Sequence, residues 1–248
     1  MTTYALYRDP VILDSVNHRS KKLINLTDYS VAAGMHATYL AAVEFSHAAR
    51  EMVIVFVRSD NDPAAGPISP VALMGLSEGE NLLVDGTRWD ARYLPAYLRR
   101  YPFWTARLEG ADGPTVLIDA AWSGFSDTVG DALFDIEGKP APKLTAALKL
   151  IEEFENEAAR TKGFCERLVE LDLLRGMKAD VTLPGGATMS LDGFLVVDQD
   201  KLQTLPDAVV LELHRGGMFG LIHAHLLSLA NLQALVERKA RRMEAANA

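Results

Sequence analysis

The apolar positions of this chain change their period several times. Met52-Val-Ile-Val-Phe-Val57 is a short, unbroken, β-branched run, which predicts a buried strand. Residues 71–76, 81–84 and 115–119 predict further strands, the first two joined by a turn at Ser77 to Gly79. Residues 31–50 follow helical spacing, and Ser30 is positioned to cap that helix through its hydroxyl. Residues 1–30 read as irregular, with one extended piece near 11–13. The turn residues of 61–67 predict a loop.

Further along, Trp89, Tyr93, Tyr97 and Tyr101 recur every four residues, a slanting aromatic stripe on a helix. Pro95 is costly inside a helix but suits a first turn, so the helix is expected to begin near Leu94. Residues 142–175 form the longest helical pattern, with Lys162-Gly163 as its expected break. Residues 181–183 and 187–191 flank Gly185-Gly186 as a hairpin, and 194–197 predicts another strand. Short helices over 199–213 precede a final amphipathic helix over 218–238, with a basic tail of Arg238, Lys239, Arg241 and Arg242. The expected fold class is α+β. A mostly antiparallel sheet fills the N-terminal half, and helices plus a β-hairpin fill the C-terminal half. Turn residues near 138–142 separate parts 1–138 and 139–248, which are expected to pack as one continuous body rather than as independent units.

With 248 residues, 49% of them hydrophobic, the chain has enough apolar surface for a substantial core. Its 33 acids against 25 bases give a formal charge of −8, a field that repels nucleic acid. No apolar run reaches the roughly 20 uncharged residues of a membrane span. The longest candidate, 218–235, is interrupted by His223, His225, Ser228, Asn231 and Gln233. The first residues lack the basic and apolar regions of a signal peptide, and one cysteine, Cys165, makes no intramolecular disulfide. The expected location is the cytoplasm.

Five groups carry candidate chemistry. Glu44-x-x-His47 places a carboxylate and an imidazole on one helix side, as in a metal pair, but no second such pair exists. In His223-x-His225 the helical spacing drives the rings apart, which leaves His225 in the apolar stripe and His223 outside it. Between 88 and 107 lie Arg88, Arg92, Arg99, Arg100 and Arg107, with Trp89 and Trp104. Guanidinium forks bind carboxylates and phosphates, and aromatic faces stack on ligands. The competing reading is that these arginines neutralise the seven acids of 109–138. Asp127, Asp131, Asp135 and Glu137 lack the spacing of a calcium loop. His214-Arg-Gly-Gly-Met-Phe-Gly220 matches no phosphate-loop pattern and suits a tight turn between helices. Ser123, Ser126 and Cys165 lie in no nucleophile motif.

Several phrases together resemble the SapC family, named for an S-layer-associated protein and widespread in proteobacteria. They are Glu44-Phe45 before residues 52–56, Ala72-Leu-Met-Gly-Leu-Ser-Glu-Gly-Glu-Asn81, and Trp89…Tyr93-Leu-Pro95…Arg99-Arg-Tyr-Pro-Phe103. Leu117-Ile-Asp119, Leu133-Phe-Asp135…Gly138 and Gly217…Ile222-His-Ala-His225…Ser228-Leu229 continue the likeness, which spans about residues 5–236. The resemblance brings no agreed catalytic residue set. Genes of the family often neighbour those for TonB-dependent receptors, halogenase-like and cupin-like proteins, which implies a link to uptake or modification of a ligand or peptide.

The expected function is therefore a non-catalytic binding or accessory protein for a peptide, a small anionic ligand or a partner protein, with no cofactor. Arg92, Arg99 and Arg100 would bind carboxylate, and Trp89, Tyr93 and Trp104 would stack. The first alternative is a metal-dependent enzyme built from Glu44, His47, His223 and His225. The second is an S-layer-related assembly subunit that uses the last helix and its basic tail.

Overall fold

The structure is a computed structural model, and it describes residues 6–59, 66–110, 113–183, 186 and 188–247. The chain opens with β1 (Pro10–Ile12), β2 (Lys22–Leu23), β3 (Ala37–Tyr39), the one-turn helix α1 (Phe45–Ala48), β4 (Val53–Arg58) and β5 (Ile68–Leu73). A hairpin of β6 (Val84–Asp85) and β7 (Arg88–Trp89) leads to α2 (Ala96–Arg99). Strands β8 (Phe103–Arg107), β9 (Pro114–Asp119), β10 (Phe125–Ser126) and β11 (Asp131–Ala132) follow. Then come α3 (Pro142–Glu170), β12 (Leu174–Thr182), β13 (Thr188–Val197), α4 (Gln199–Gln203), α5 (Asp207–Arg215), α6 (Met218–Ser228) and α7 (Leu232–Asn247).

The main sheet has five antiparallel strands in the order β12-β13-β4-β5-β3. It draws strands from both sides of residue 138. The α+β reading holds: antiparallel sheets fill the N-terminal half and helices close the C-terminus. Strand β4 is buried from Val53 to Phe56, as its unbroken apolar run requires. Two smaller sheets have the orders β1-β9-β8 and β10-β2-β11.

Helix α3 runs 29 residues without a break. Leu144, Ile151, Phe154, Thr161, Cys165 and Leu168 form its buried stripe, spaced near the helical period. Gly163 does not interrupt it, because the glycine lies on the exposed face. Beyond Glu170, residues 174–182 are strand rather than the helix end expected there.

The helix expected over 31–50 is also corrected. That segment is a 3-10 turn at Tyr29–Ala32, strand β3, a second 3-10 turn at Ala42–Glu44, and α1. Asp28, not Ser30, supplies the capping oxygen, accepting from the Ser30 N–H at 2.8 Å. The strand expected over 81–84 shrinks to β6, and the aromatic stripe becomes the single turn α2 with Pro95 at its N-cap. The loop expected at 61–67 lies mostly outside the described residues, as does Gly185.

Helix α6 packs on strands β4 and β13 of the sheet. His225 is fully buried there, as its place in the apolar stripe predicts. Its Nδ1 donates to the Ile54 carbonyl at 2.9 Å, and its Nε2 accepts the Val197 N–H at 3.1 Å. The Ser228 hydroxyl accepts the Ile54 N–H at 2.9 Å. By length and composition alone the run 218–245, which is α6 and α7 joined by a 3-10 turn at Leu229–Asn231, is long and apolar enough to cross a membrane, against the sequence expectation, and 22% of its most apolar window is buried.

Candidate functional site

The basic tail is tied to the segment before α2. Arg238 donates to the Asp90 carboxylate at 2.7 Å and to the Asp90 carbonyl at 2.8 Å. Lys239 meets Glu80 at 2.6 Å, and Arg242 donates to the carbonyls of Asn81 and Val84. Glu80 also accepts from the Leu76 and Ser77 N–H groups. A side chain at Gly75 would stand 2.3 Å from the Glu80 carbonyl oxygen, so only glycine allows this turn to close. The run 72–81 is therefore a fastening for the last helix.

Glu44 is buried and fully bonded. One oxygen accepts the Tyr93 hydroxyl at 2.7 Å and the Ala96 N–H at 2.7 Å; the other accepts the Ala41 N–H at 2.9 Å. His47 is exposed and stacks on Tyr93. His223 is exposed with Nδ1 at the Phe219 carbonyl, while both nitrogens of His225 serve the sheet. Burial depresses the His225 pKa to about 4, with the Ile54 carbonyl opposing the shift, so the ring is neutral at pH 7. No group of three or more His, Cys, Asp or Glu side chains converges to hold a metal among the described residues.

The aromatic and basic residues of 88–107 divide between two neighbourhoods. Trp89 donates its indole N–H to the Tyr93 carbonyl at 2.9 Å. The N–H groups of Arg92 and Tyr93 both bond the Glu51 carboxylate, and the Arg92 side chain is exposed. Arg99 reaches the Tyr93 hydroxyl at 3.5 Å and lies 5.9 Å from the centre of its ring. The second neighbourhood holds Arg100 and Trp104. Arg100 is 9% exposed and sits 4.5 Å over the Tyr97 ring and 4.4 Å over the Phe154 ring. Trp104 stacks on Tyr7 at 5.0 Å.

Among the described residues no ion pair joins an acid of 109–138 to these arginines. Asp127 pairs with Lys21 and Asp131 with Lys143, Asp135 accepts the backbone N–H groups of Glu137 and Lys139, and Glu137 pairs with Lys139. Arg88 meets Asp85 and Asp90 instead. The glycine run near 216–217 is the turn from α5 to α6, with Gly217 at φ 70°. Ser126 accepts the N–H groups of Thr128 and Val129 in its own turn. Burial pushes the Cys165 thiol up to about 12, which removes it as a nucleophile.

Arg99 and Arg100 both line one open cavity of about 280 Å³, between the 23–26 segment, the 99–103 segment and the first turns of α3. Lys143 lines it too, and sequence reasoning missed that residue. It is 43 positions from Arg100, and only Pro142 at the start of α3 marks its place. The walls are mostly apolar, with Trp122, Leu23, Phe103 and Leu150 among them. Trp122 is held edge-on to Tyr101 and Phe125. A side chain at Gly124 would stand 2.1 Å from the Trp122 ring, so that glycine lets the wall form.

Behind this cavity Tyr101 donates to the buried Asp119 carboxylate at 2.7 Å. Burial alone would raise the Asp119 pKa. The Asp9 N–H, the Tyr101 hydroxyl and further N–H groups outweigh it and hold the carboxyl below its usual range. Arg100 is less well served. Its nearest carboxylate, Glu155, is 3.5 Å away and half-exposed, and its Nε has no hydrogen-bond partner.

The site thus presents guanidinium and ammonium groups at the edge of an apolar hollow. The chemistry it offers is the neutralisation of an anion. No curated protein and no solved structure matches the chain. The SapC family model matches residues 13–235, and the chain belongs to that family.

Proposed function

We propose that this protein is a binding or accessory protein that holds an anionic ligand in the cavity lined by Arg99, Arg100 and Lys143. One observation carries the reading: Arg100 is nearly buried, lines the cavity, and leaves its Nε unpartnered. A guanidinium withdrawn from water is costly unless its donors are paired. Glu155 at 3.5 Å, the Tyr7 hydroxyl and two aromatic faces compensate part of that cost, and the Nε donor stays unpaired. An anion in the cavity would compensate more of it.

The saturated bonding of Glu44 and His225 favours this reading over a metal-dependent enzyme built from them. The test is thermal melting at fixed ionic strength with chloride replaced stepwise by succinate or phosphate. A saturable rise in melting temperature that the Arg99→Gln, Lys143→Gln double variant loses supports the reading. Identical curves for both proteins refute it.

A further inference from the structure

We propose that the ligand of this cavity is an amphiphilic carboxylate, one carboxyl group on a small apolar body; the inference rests on the anion-binding reading above. The charge count points to one negative charge. Lys143 is already engaged with the Asn25 side-chain oxygen and with Asp131 at 3.7 Å. Arg100 is partly matched by Glu155. Arg99 touches the Tyr93 hydroxyl and ring and has no ion pair among the described residues. One uncompensated cation beside a buried, under-bonded guanidinium suits a monoanion with two acceptor oxygens, the geometry that arginine forks match.

The walls decide the rest. Apart from Asn25 and the three cations, the lining side chains are apolar or already bonded. Tyr101 and Trp122 are the two further side chains with a polar atom, and the Tyr101 hydroxyl is spent on Asp119. Leu23 and Leu150 offer no group to hydroxyls or to a second charge, and Trp122 brings a single indole N–H. A compact polyanion would leave its remaining oxygens unpaired against that wall, whereas an aliphatic body gains burial. Chain-terminal leucine and free acyl amino acids share this chemistry.

The experiment is isothermal titration of the full chain with N-acetyl-leucine, N-acetyl-leucinamide, acetate, succinate, and a tetrapeptide ending in leucine. N-acetyl-leucine is expected to bind, with the amide and acetate at least about tenfold weaker. Arg99→Gln, an exposed position, is expected to weaken N-acetyl-leucine by a similar factor without changing the melting temperature. Tetrapeptide binding tighter than N-acetyl-leucine assigns the site to chain ends, and weaker binding assigns it to free acids; both support the proposal. Equal binding of the amide overturns it. Arg99-dependent binding of succinate without binding of N-acetyl-leucine overturns the amphiphile while leaving the anion site standing. Binding of none of the anions overturns both.

Discussion

The Tyr93 hydroxyl donates to the buried Glu44 carboxylate at 2.7 Å, and this bond joins the α1 turn to the segment that carries Arg99. The same carboxylate accepts two backbone N–H groups, so it fastens the entry to α2 rather than facing a substrate. Glu44→Gln turns one acceptor into a donor facing a donor. It is expected to cost roughly 2 kcal/mol in urea unfolding and leave metal content unchanged. A stable variant that loses bound metal contradicts this.

His225 makes stability depend on pH. Its pKa is about 4 in the fold against 6.5 for an unperturbed histidine. The folded state therefore holds fewer protons between these values. The contribution is complete above pH 6.5 and declines as pH falls towards 4. Between pH 7.5 and 5 the loss is about 2 kcal/mol. His225→Gln retains a donor for Ile54 and an acceptor for Val197 but does not titrate. Denaturant midpoints across that range should flatten in the variant by this amount; unchanged slopes contradict the assignment.

Arg238 binds the Asp90 side chain and carbonyl from α7. Arg238→Met is expected to lower stability by roughly 2 kcal/mol, because Asp90 then loses its partly buried partner. Sedimentation velocity should show the same subunit number as the parent. A variant with unchanged melting and altered sedimentation would instead assign the basic tail to assembly.

Gly124 leaves room for the Trp122 ring. Gly124→Ala forces the ring aside, at a cost of about 2 kcal/mol. Trp122 emission should shift, and binding in the Arg99 and Arg100 cavity should weaken with it. Unaltered emission together with parental binding would show that Trp122 does not shape the cavity.

The sequence announced strand β4, because six consecutive apolar residues read one way, and it announced α3 through its buried stripe. It misled at 31–50, where helical spacing was cut into single turns by the pairing of β3 with β5. The β12–β13 hairpin was read only from 181, although Met177, Ala179 and Val181 alternate with exposed Lys178, Asp180 and Thr182, because the helical pattern of α3 was carried on to 175. Arg99 and Arg100 were legible as candidates from composition. Lys143, Leu23 and Trp122 were not, since only tertiary packing brings three distant segments to one cavity. The burial of His225 was legible in its apolar stripe but its partners Ile54 and Val197 were not, and the buried role of Glu44 was hidden because Tyr93 and Ala96 lie far away in sequence.

The most direct measurement is the side-chain Nε–H spectrum of ¹⁵N-labelled protein, with Arg99 and Arg100 assigned through Arg99→Gln and Arg100→Lys. The account predicts that the Arg100 Nε–H signal moves saturably as N-acetyl-leucine is added, together with that of Arg99. Signals of both arginines that stay fixed while the anion binds elsewhere would contradict it.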